Sequence, residues 1–485
     1  MVHPSSVPIT VNPIKFGTDG WRGVIAADFT FERVALVAPL AAQVLLKVYG
    51  DTGNRTIIVG HDRRFMAELF ARAAAEAIQA AGFDVLLTDT YAPTPAFSWA
   101  AKKLNALGAI VITASHNPGI YLGLKVKGAF GGSVPPEVTH QIEALLEQKL
   151  RPVSSPGSLE MFNPWPSYCE GLRAKVDIEK IREAIRADKL TVFADVMHGA
   201  AASGLGQILE VPVQEINSDR DPLFEDGAPE PLPRYLSKLF QTIKTHQSTH
   251  KDSLAVGFVF DGDSDRIAAV DSNANFLSSQ ILIPILIEHL ATRRGMTGEV
   301  IKTVSGSDLM PKVAELYNLP VYETPVGYKY IADRMNETQV LIGGEESGGI
   351  GYGTHIPERD ALLSALYVLE AIVESGLDLS DLYRGLQQQT NFFAAYDRID
   401  LPLAGMDVRS RLLEQLQTKP LTEIAGRAVV DCNQIDGYKF RLDDGSWLMI
   451  RFSGTEPLLR LYCEAATLDR VHQTLDWAKN WANSV

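Results

Sequence analysis

The sequence predicts an α/β protein in which one strand–helix unit is used three times, with mixed, largely parallel sheets, before a smaller C-terminal α+β domain. Three observations carry this. Short apolar runs of strand length alternate with helix-period segments through most of the chain. Each of three successive rounds ends in a polar, glycine-containing loop directly after an apolar run. From about Phe392 the alternation stops, and Asp-Gly pairs at Asp436-Gly437 and Asp444-Gly445 signal hairpin turns.

The first round begins after a polar, proline-containing tail. Phe16-Gly17-Thr18-Asp19-Gly20-Trp21-Arg22-Gly23 holds three glycines in eight residues, a tight backbone path from which Arg22 projects. Phe31 to Tyr49 has helical period. Thr56-Ile57-Ile58-Val59-Gly60 reads as a strand, and Met66–Ala81 as an alanine-rich helix that Gly82 stops. Val85-Leu86-Leu87 is the next strand. Pro93-Thr94-Pro95 opens a helix, and the run Gly108-Ala109-Ile110-Val111-Ile112 is a third buried strand. This β-α-β-α-β order implies parallel strands with right-handed crossovers. The four prolines between Arg151 and Pro166 suggest a linker.

In the second round Leu190–Val196, Val213–Ile216 and Leu254–Phe260 read as strands, with helices over Gly199–Leu209 and Leu232–Thr245. In the third, Glu299–Val304, Val321–Thr324 and Gln339–Ile342 are strands, with helices over Ile281–Leu290, Asp308–Tyr317 and Tyr330–Met335. In the last domain, strands are expected near Ala428–Asp431, Tyr438–Leu442, Trp447–Phe452 and Leu459–Glu464, with a helix from Leu468 to about Ala482.

Four loops carry chemistry. Thr113-Ala114-Ser115-His116-Asn117-Pro118 follows the strand at 108–112. In open α/β sheets, ligands sit beyond the carboxyl ends of the strands. Ser115 and His116 stand there, and Lys125 can return to the same crevice; an ordinary strand-to-loop turn is the alternative. Asp261-Gly262-Asp263-Ser264-Asp265-Arg266 follows the strand ending at Phe260. Three alternating carboxylates repel one another unless a cation sits among them, and hard oxygen ligands suit Mg²⁺, Ca²⁺ or Mn²⁺. An EF-hand is excluded, because its sixth and twelfth positions are occupied by Arg266 and Ser272. Arg266 is placed either to neutralise a transferring phosphoryl group or to pair with the neighbouring aspartates.

In the third round, Gly343-Gly344-Glu345-Glu346-Ser347-Gly348-Gly349 offers Glu345 and Ser347 to sugar hydroxyls. In the last domain, Arg451-Phe452-Ser453-Gly454-Thr455 supplies a guanidinium, two hydroxyls and a glycine N–H, which suits a phosphate dianion. An exposed hairpin turn is the alternative there.

Bulk properties narrow the class. A net charge of −14 argues against nucleic acid or an anionic membrane as partner. Three scattered cysteines, with no C-x-x-C, fit a reducing, cytoplasmic setting. The first residues lack a secretory pattern, and apolar runs such as Ile281 to Ile287 are too short to span a bilayer.

Taken together and in order, T-A-S-H-N-P, D-G-D-x-D-R, G-E-x-S-G and R-x-S-G-T-E-P resemble the α-D-phosphohexomutase superfamily, the phosphoglucomutase and phosphomannomutase enzymes. The resemblance covers essentially the whole chain. It implies four domains around a central cleft: 1–155 with a phosphoserine loop, 156–275 with a metal loop, 276–391 with a sugar-binding loop and 392–485 with a phosphate-binding loop. It implies Ser115 as phosphoserine, one Mg²⁺ per chain held by Asp261, Asp263, Asp265 and the Ser115 phosphate, Lys125 as acid/base, and His116 and Arg266 as catalytic neighbours. Glu345 and Ser347 would meet the sugar. Arg451, Ser453, Gly454 and Thr455 would clamp its non-reacting phosphate, with Arg22 and Lys329 as further cleft residues.

The expected reaction interconverts hexose 1-phosphate and hexose 6-phosphate through a hexose 1,6-bisphosphate, which also serves as activator. A hinge near residue 390 would release and regrip the substrate phosphate. Where some relatives, including glucosamine mutases, end the sugar loop in His, this chain has Gly349. That counts against glucosamine phosphate and leaves glucose favoured, with mannose admitted. A hexose-1,6-bisphosphate synthase, a metal-dependent phosphatase and a non-catalytic sugar-phosphate sensor are the alternatives. The sequence leaves monomer or dimer open.

Overall fold

The structure is a computed structural model that describes residues 12–17, 19–50, 53–147, 155–453 and 457–484. The chain forms two compact units. The first holds the described residues up to Ser279 together with Ala332–Thr338 and Ser347–Leu379; the second holds Gln280–Ile331, Gln339–Glu346 and the residues from Ser380 onward. The expected hinge position near residue 390 thus falls inside the second unit.

In the first unit, a seven-stranded sheet runs in the order Phe16–Gly17, Gly20–Val24, Tyr121–Gly128, Gly108–Ile112, Thr56–His61, Asp84–Thr88, Leu159–Phe162. The last four are parallel, as the alternation of strands and helices requires. Tyr121–Gly128 runs antiparallel between Gly108–Ile112 and Gly20–Val24, which makes the sheet mixed. Leu159–Phe162 corrects the linker reading: part of that proline-rich stretch pairs with Asp84–Thr88 as an edge strand. Prolines are tolerated around an edge strand because no central ladder bond is lost. Residues 151–154 of the stretch lie outside the described residues.

Helices cover this sheet. Phe31–Tyr49 is capped by Thr30, whose side chain accepts from Arg33 N, and it turns Val34, Val37, Ala38, Ala41 and Leu45 inward. Ala67–Ala80 ends just before Gly82, whose φ of +86° is the left-handed stop that the glycine allows. Thr94–Lys103 packs so closely on Thr56–His61 that a Cβ at Gly60 would lie 2.3 Å from the Phe97 ring.

A five-stranded sheet follows in the order Phe276–Leu277, Ile267–Val270, Leu254–Phe260, Leu190–Asp195, Gln214–Ile216. The last three are parallel, and Ile267–Val270 returns antiparallel from the acidic loop. The short strands Ile267–Val270 and Phe276–Leu277 were not expected from the sequence, because runs of four and two residues are too short to stand out as strands.

In the second unit, Glu299–Thr303 pairs in parallel with Val321–Thr324 and Val340–Gly344. The C-terminal sheet is antiparallel, in the order Ala395–Pro402, Leu458–Ala465, Trp447–Phe452, Tyr438–Leu442, Arg427–Asn433, Glu423–Ile424. A charge network centred on buried Lys302 ties these two sheets together. Lys302 pairs with Asp308 and Glu323, each at 3.1 Å, and Arg441 reaches Asp308 at 2.7 Å. Among the described residues, no helix is long and apolar enough to cross a membrane.

Asp195 closes the strand Leu190–Asp195 fully buried. One carboxylate oxygen accepts from Met197 N and Asn217 Nδ2, and the other has no partner. Burial pushes its carboxyl up to about 6. A raised folded value favours the protonated native state, so this group costs stability as pH rises from about 4 through 6. Asp195→Asn should therefore gain on the native chain by up to about 3 kcal/mol at pH 7, with the gap closing below pH 4. Denaturant midpoints of both proteins across that range check it.

Candidate active site

Two strand ends in the first unit build the site. Gly108–Ile112 delivers Thr113, Ala114 and Ser115 at its carboxyl end. Ser115 is 1% exposed and adopts φ +51°, a left-handed conformation. Its hydroxyl donates to Asp261 Oδ2 at 2.7 Å and lies 3.4 Å from His116 Nδ1. Leu254–Phe260 delivers Asp261 at the carboxyl end of the other sheet. Asp261 Oδ1 accepts from Asp265 N and Arg266 N at 3.0 and 3.1 Å, which folds the acidic stretch into a tight turn through Ser264 at φ +59°.

That turn points its acids inward. One oxygen from each of Asp261, Asp263 and Asp265 falls within a group no wider than 4.8 Å, and all three residues are fully buried. Burial raises Asp261 well above the ordinary carboxylate range, and the charges of Asp265 and Asp263 raise it further. Asp263 Oδ1 and Asp265 Oδ1 are buried without a hydrogen-bond partner. Unpartnered anionic oxygens beside a third carboxylate are the donor set of a hard divalent cation, so these residues fit Mg²⁺.

Lys125 comes from Tyr121–Gly128, a strand the sequence reading missed. The polar residues at Lys125 and Lys127 interrupt its apolar pattern. Lys125 Nζ lies 2.7 Å from Asp263, 2.9 Å from Asp265 and 2.7 Å from Asp19. Burial works to lower its pKa, but Asp19, Asp263 and Asp265 outweigh burial and raise it. To serve as a base this lysine would need a lowered pKa, but three acids hold it protonated. For Asp263 the balance runs the other way, since burial would raise it and Lys125 pulls it below its usual value.

The surrounding charges extend inward. Arg359 bridges Asp19 and Asp265 at 2.6 Å each, and Lys127 joins Glu358 at 2.5 Å and Asp19 at 3.2 Å. Thr94 donates to Asp263 Oδ2 at 2.5 Å. Asp19, Thr94, Lys127, Glu358 and Arg359 were not singled out from sequence. Asp19 alone had a signal, from the glycine-rich stretch noted for Arg22.

Arg22 donates to the Asn117 side chain, next to the serine loop. Arg266 stands 4.0 Å from Asp265, the outer limit of an ion pair. Burial lowers the His116 pKa well below its ordinary value, and the charges of Arg266, Arg22, Lys125 and Arg359 add to this, so its imidazole is neutral. Ser347 also lies in the first unit, where Gly348 O accepts from Ile267 N at 3.0 Å and ties its loop to the acidic turn. The structure therefore brings together Ser115, His116, Lys125, Asp261, Asp263, Asp265, Arg266 and Arg22.

Glu345, Lys329, Arg451 and Ser453 belong to the second unit. Glu345 is buried at the end of Val340–Gly344. Lys329 opens the helix Tyr328–Glu337, its Nζ 4.8 Å from the Tyr330 ring centre. Arg451 Nε donates to Asp436 Oδ2 at 2.8 Å, and the same oxygen accepts from Val326 N at 3.0 Å. The Asp-Gly turn noted as a hairpin signal thus also orients Arg451. Arg398, on the unanticipated strand Ala395–Pro402, is a further cation whose pKa is raised; burial opposes this, and Asp400 and Glu346 outweigh it. Gly454 and Thr455 lie outside the described residues.

A serine hydroxyl, a buried acid triad and protonated cations on the ends of α/β strands are equipment for moving a phosphoryl group. Known sequences define the class further. Models of the phosphoglucomutase/phosphomannomutase family match four consecutive stretches: α/β/α domain I at residues 13–152, domain II at 166–274, domain III at 278–390 and the C-terminal domain at 408–477. A chain carrying all four is a phosphohexomutase, an intramolecular phosphotransferase. This one belongs to the phosphoglucomutase/phosphomannomutase family of the α-D-phosphohexomutase superfamily.

A crystal structure from Thermus thermophilus, provisionally named a phosphomannomutase, superimposes with a TM-score of 0.84 at 32% identity, covering 98% of this chain and 100% of its own. The phosphoglucomutase/phosphomannomutase of Thermococcus kodakarensis is 28% identical, over 95% of this chain and 96% of that protein. The phosphoglucosamine/phosphogalactosamine mutase of Sulfurisphaera tokodaii is also 28% identical, over 93% and 95% respectively.

Relief of the repulsion around Asp261 should be measurable as stabilisation. Mg²⁺ at about 100 times its dissociation constant should stabilise the native chain by about 2.7 kcal/mol. Asp263→Asn should lose most of that gain. Thermal melts with and without Mg²⁺, and after chelation, check this.

Proposed function

We propose that this chain interconverts hexose 1-phosphate and hexose 6-phosphate through phosphorylated Ser115 and a hexose 1,6-bisphosphate. Glucose is the favoured sugar and mannose a second substrate. The single observation that carries the reading is the Ser115 hydroxyl 2.7 Å from Asp261 within a buried acid triad. The setting is cytoplasmic, in keeping with three free cysteines.

In the forward half-reaction a sugar hydroxyl oxygen attacks the phosphorus carried by Ser115. The new O–P bond forms as the bond to Ser115 Oγ breaks. The sugar hydroxyl gives up one proton and Ser115 Oγ takes one up, so the balance closes without a further reactant. Lys125, held protonated by Asp19, Asp263 and Asp265, is a fixed positive charge here. Its raised pKa does not suit a base. Neutral His116, with Nδ1 3.4 Å from Ser115 Oγ, is a hydrogen-bond partner for the serine. Mg²⁺ held by Asp261, Asp263 and Asp265 would offset charge on the transferring phosphoryl oxygens. Arg266 and Arg22 supply positive charge from outside the triad.

Arg451, oriented by Asp436, and Ser453 hold the phosphate that does not react, together with Gly454 and Thr455. Glu345 and Ser347 bind sugar hydroxyls, and Lys329 contacts substrate. The bisphosphate turns over within the site and returns its other phosphate to Ser115, and free bisphosphate primes enzyme that has lost its phosphate.

Gly349 in place of an imidazole speaks against glucosamine phosphate, although relatives act on amino sugars by name. The names of the relatives lend the bisphosphate-synthase alternative no support. The retained serine, lysine and acids speak against a sensor.

Ser115→Ala should lower turnover of glucose 1-phosphate at least about 10³-fold while leaving the melting temperature unchanged. Intact mass should find one added phosphate on the native chain and none on the variant. A panel of glucose, mannose and glucosamine 1-phosphates, each with added glucose 1,6-bisphosphate, ranks the substrates. Undiminished isomerisation by the variant would overturn the proposal.

A further inference from the structure

Ser115 sits in a backbone conformation that L-residues with side chains rarely adopt, and something must hold it there. The holder is a side chain outside the reaction chemistry. Arg64 is fully buried, and its guanidinium donates to four carbonyl oxygens, three in the serine loop and one at the start of the strand that follows it. Nη2 reaches Ser115 O and Asn117 O at 2.6 Å each; Nη1 reaches Pro118 O and Tyr121 O at 3.1 Å each. Phe224 covers it, with the guanidinium carbon 4.8 Å from the ring centre. A planar fork with donors on two nitrogens matches this ring of acceptors in a way an ammonium cannot.

The neighbouring Asp62 holds the other side of the same serine. Asp62 Oδ2 lies 3.4 Å from Arg64 Nε and accepts the Thr113 hydroxyl proton at 2.6 Å. With its proton committed there, Thr113 Oγ1 is left to accept from Ser115 N at 2.9 Å. Both backbone polar groups of Ser115 are therefore fixed, the carbonyl by Arg64 and the N–H by Thr113. The acidic turn leans on the same carbonyl: a Cβ at Gly262 would lie 2.4 Å from Ser115 O.

We infer that Arg64 is a positioning residue for phosphoryl transfer, holding the Ser115 loop and the start of the strand after it by four carbonyls so that Oγ is aimed at the acid triad. This rests on the reading of Ser115 as the phosphoryl carrier. Displacing a reacting atom by about 1 Å costs about 10²-fold in rate. The distortion touches the nucleophile, not the groups that bind substrate, so the loss falls on kcat.

The test uses the full chain with glucose 1-phosphate and added glucose 1,6-bisphosphate, and rates are normalised to the fraction of chains that carry phosphate by intact mass. Arg64→Lys should lower kcat about 10²-fold and leave KM within about threefold. Guanidinium ion should restore part of the kcat of Arg64→Ala and none of that of Ser115→Ala. A purely structural role would lower the melting temperature and the folded yield without changing kcat per phosphorylated chain, and that result overturns the inference. If neither Arg64 variant folds, Thr113→Val removes the acceptor of the Ser115 N–H and should show the same kcat-selective loss; an unchanged kcat there overturns the inference too. A native chain with neither phosphate on Ser115 nor isomerase activity would instead refute the reading on which the inference rests.

Discussion

Three carboxylates buried together are the constraint that the first unit is built to satisfy. Left alone, Asp261, Asp263 and Asp265 would repel one another in a medium that screens charge poorly. Lys125 answers two of them directly, and Arg359 answers Asp265 while also reaching Asp19. Each added cation is itself buried and needs further acids, which is why the lattice runs on through Asp19 and Lys127 to Glu358. Removing any one member leaves an uncompensated buried charge, a far larger penalty than the loss of a surface pair.

The fold supplies this lattice by ending strands at one place. Ser115 and Asp261 each follow the carboxyl end of a central strand, where side chains are rigidly placed and the backbone is free to turn. Tyr121–Gly128 then brings Lys125 and Lys127 back along the edge of the parallel portion, two residues apart and hence on one face. In the second unit the same economy recurs. One carboxylate oxygen of Asp436 orients Arg451 and pins the backbone at Val326, so a turn between two strands also fixes the loop that precedes Lys329.

The parts legible in the sequence were those with a local signature. Alternating strands and helices gave the layered sheets, and alternating aspartates gave the triad. Asp-Gly pairs marked the hairpins of the C-terminal sheet. What stayed hidden depends on contacts between distant stretches. Glu358 and Arg359 look like an ordinary charged loop until Asp19 and Lys127, hundreds of residues away, are placed beside them. Arg64 is one of two adjacent arginines after a strand and carries no local signal of burial, yet it is buried because four carbonyls converge on it. Lys125 was recognised by position, but the sign of its pKa shift depended on three acids, two of them from another sheet. The edge strand Leu159–Phe162 was masked by prolines that a central strand could not have carried.

The depth of Ser115 has a consequence for the lifetime of any group it carries. With only 1% of its surface open, bulk water has little approach to that oxygen, while the cations and hydrogen-bond donors around it are already in place. A phosphate ester there would be shielded from leakage to solvent, and a sugar would be the acceptor that brings its own hydroxyl to the phosphorus. On the proposed reading, such a carrier would keep its phosphate through many encounters, and a small pool of bisphosphate would suffice to keep the whole population of enzyme primed.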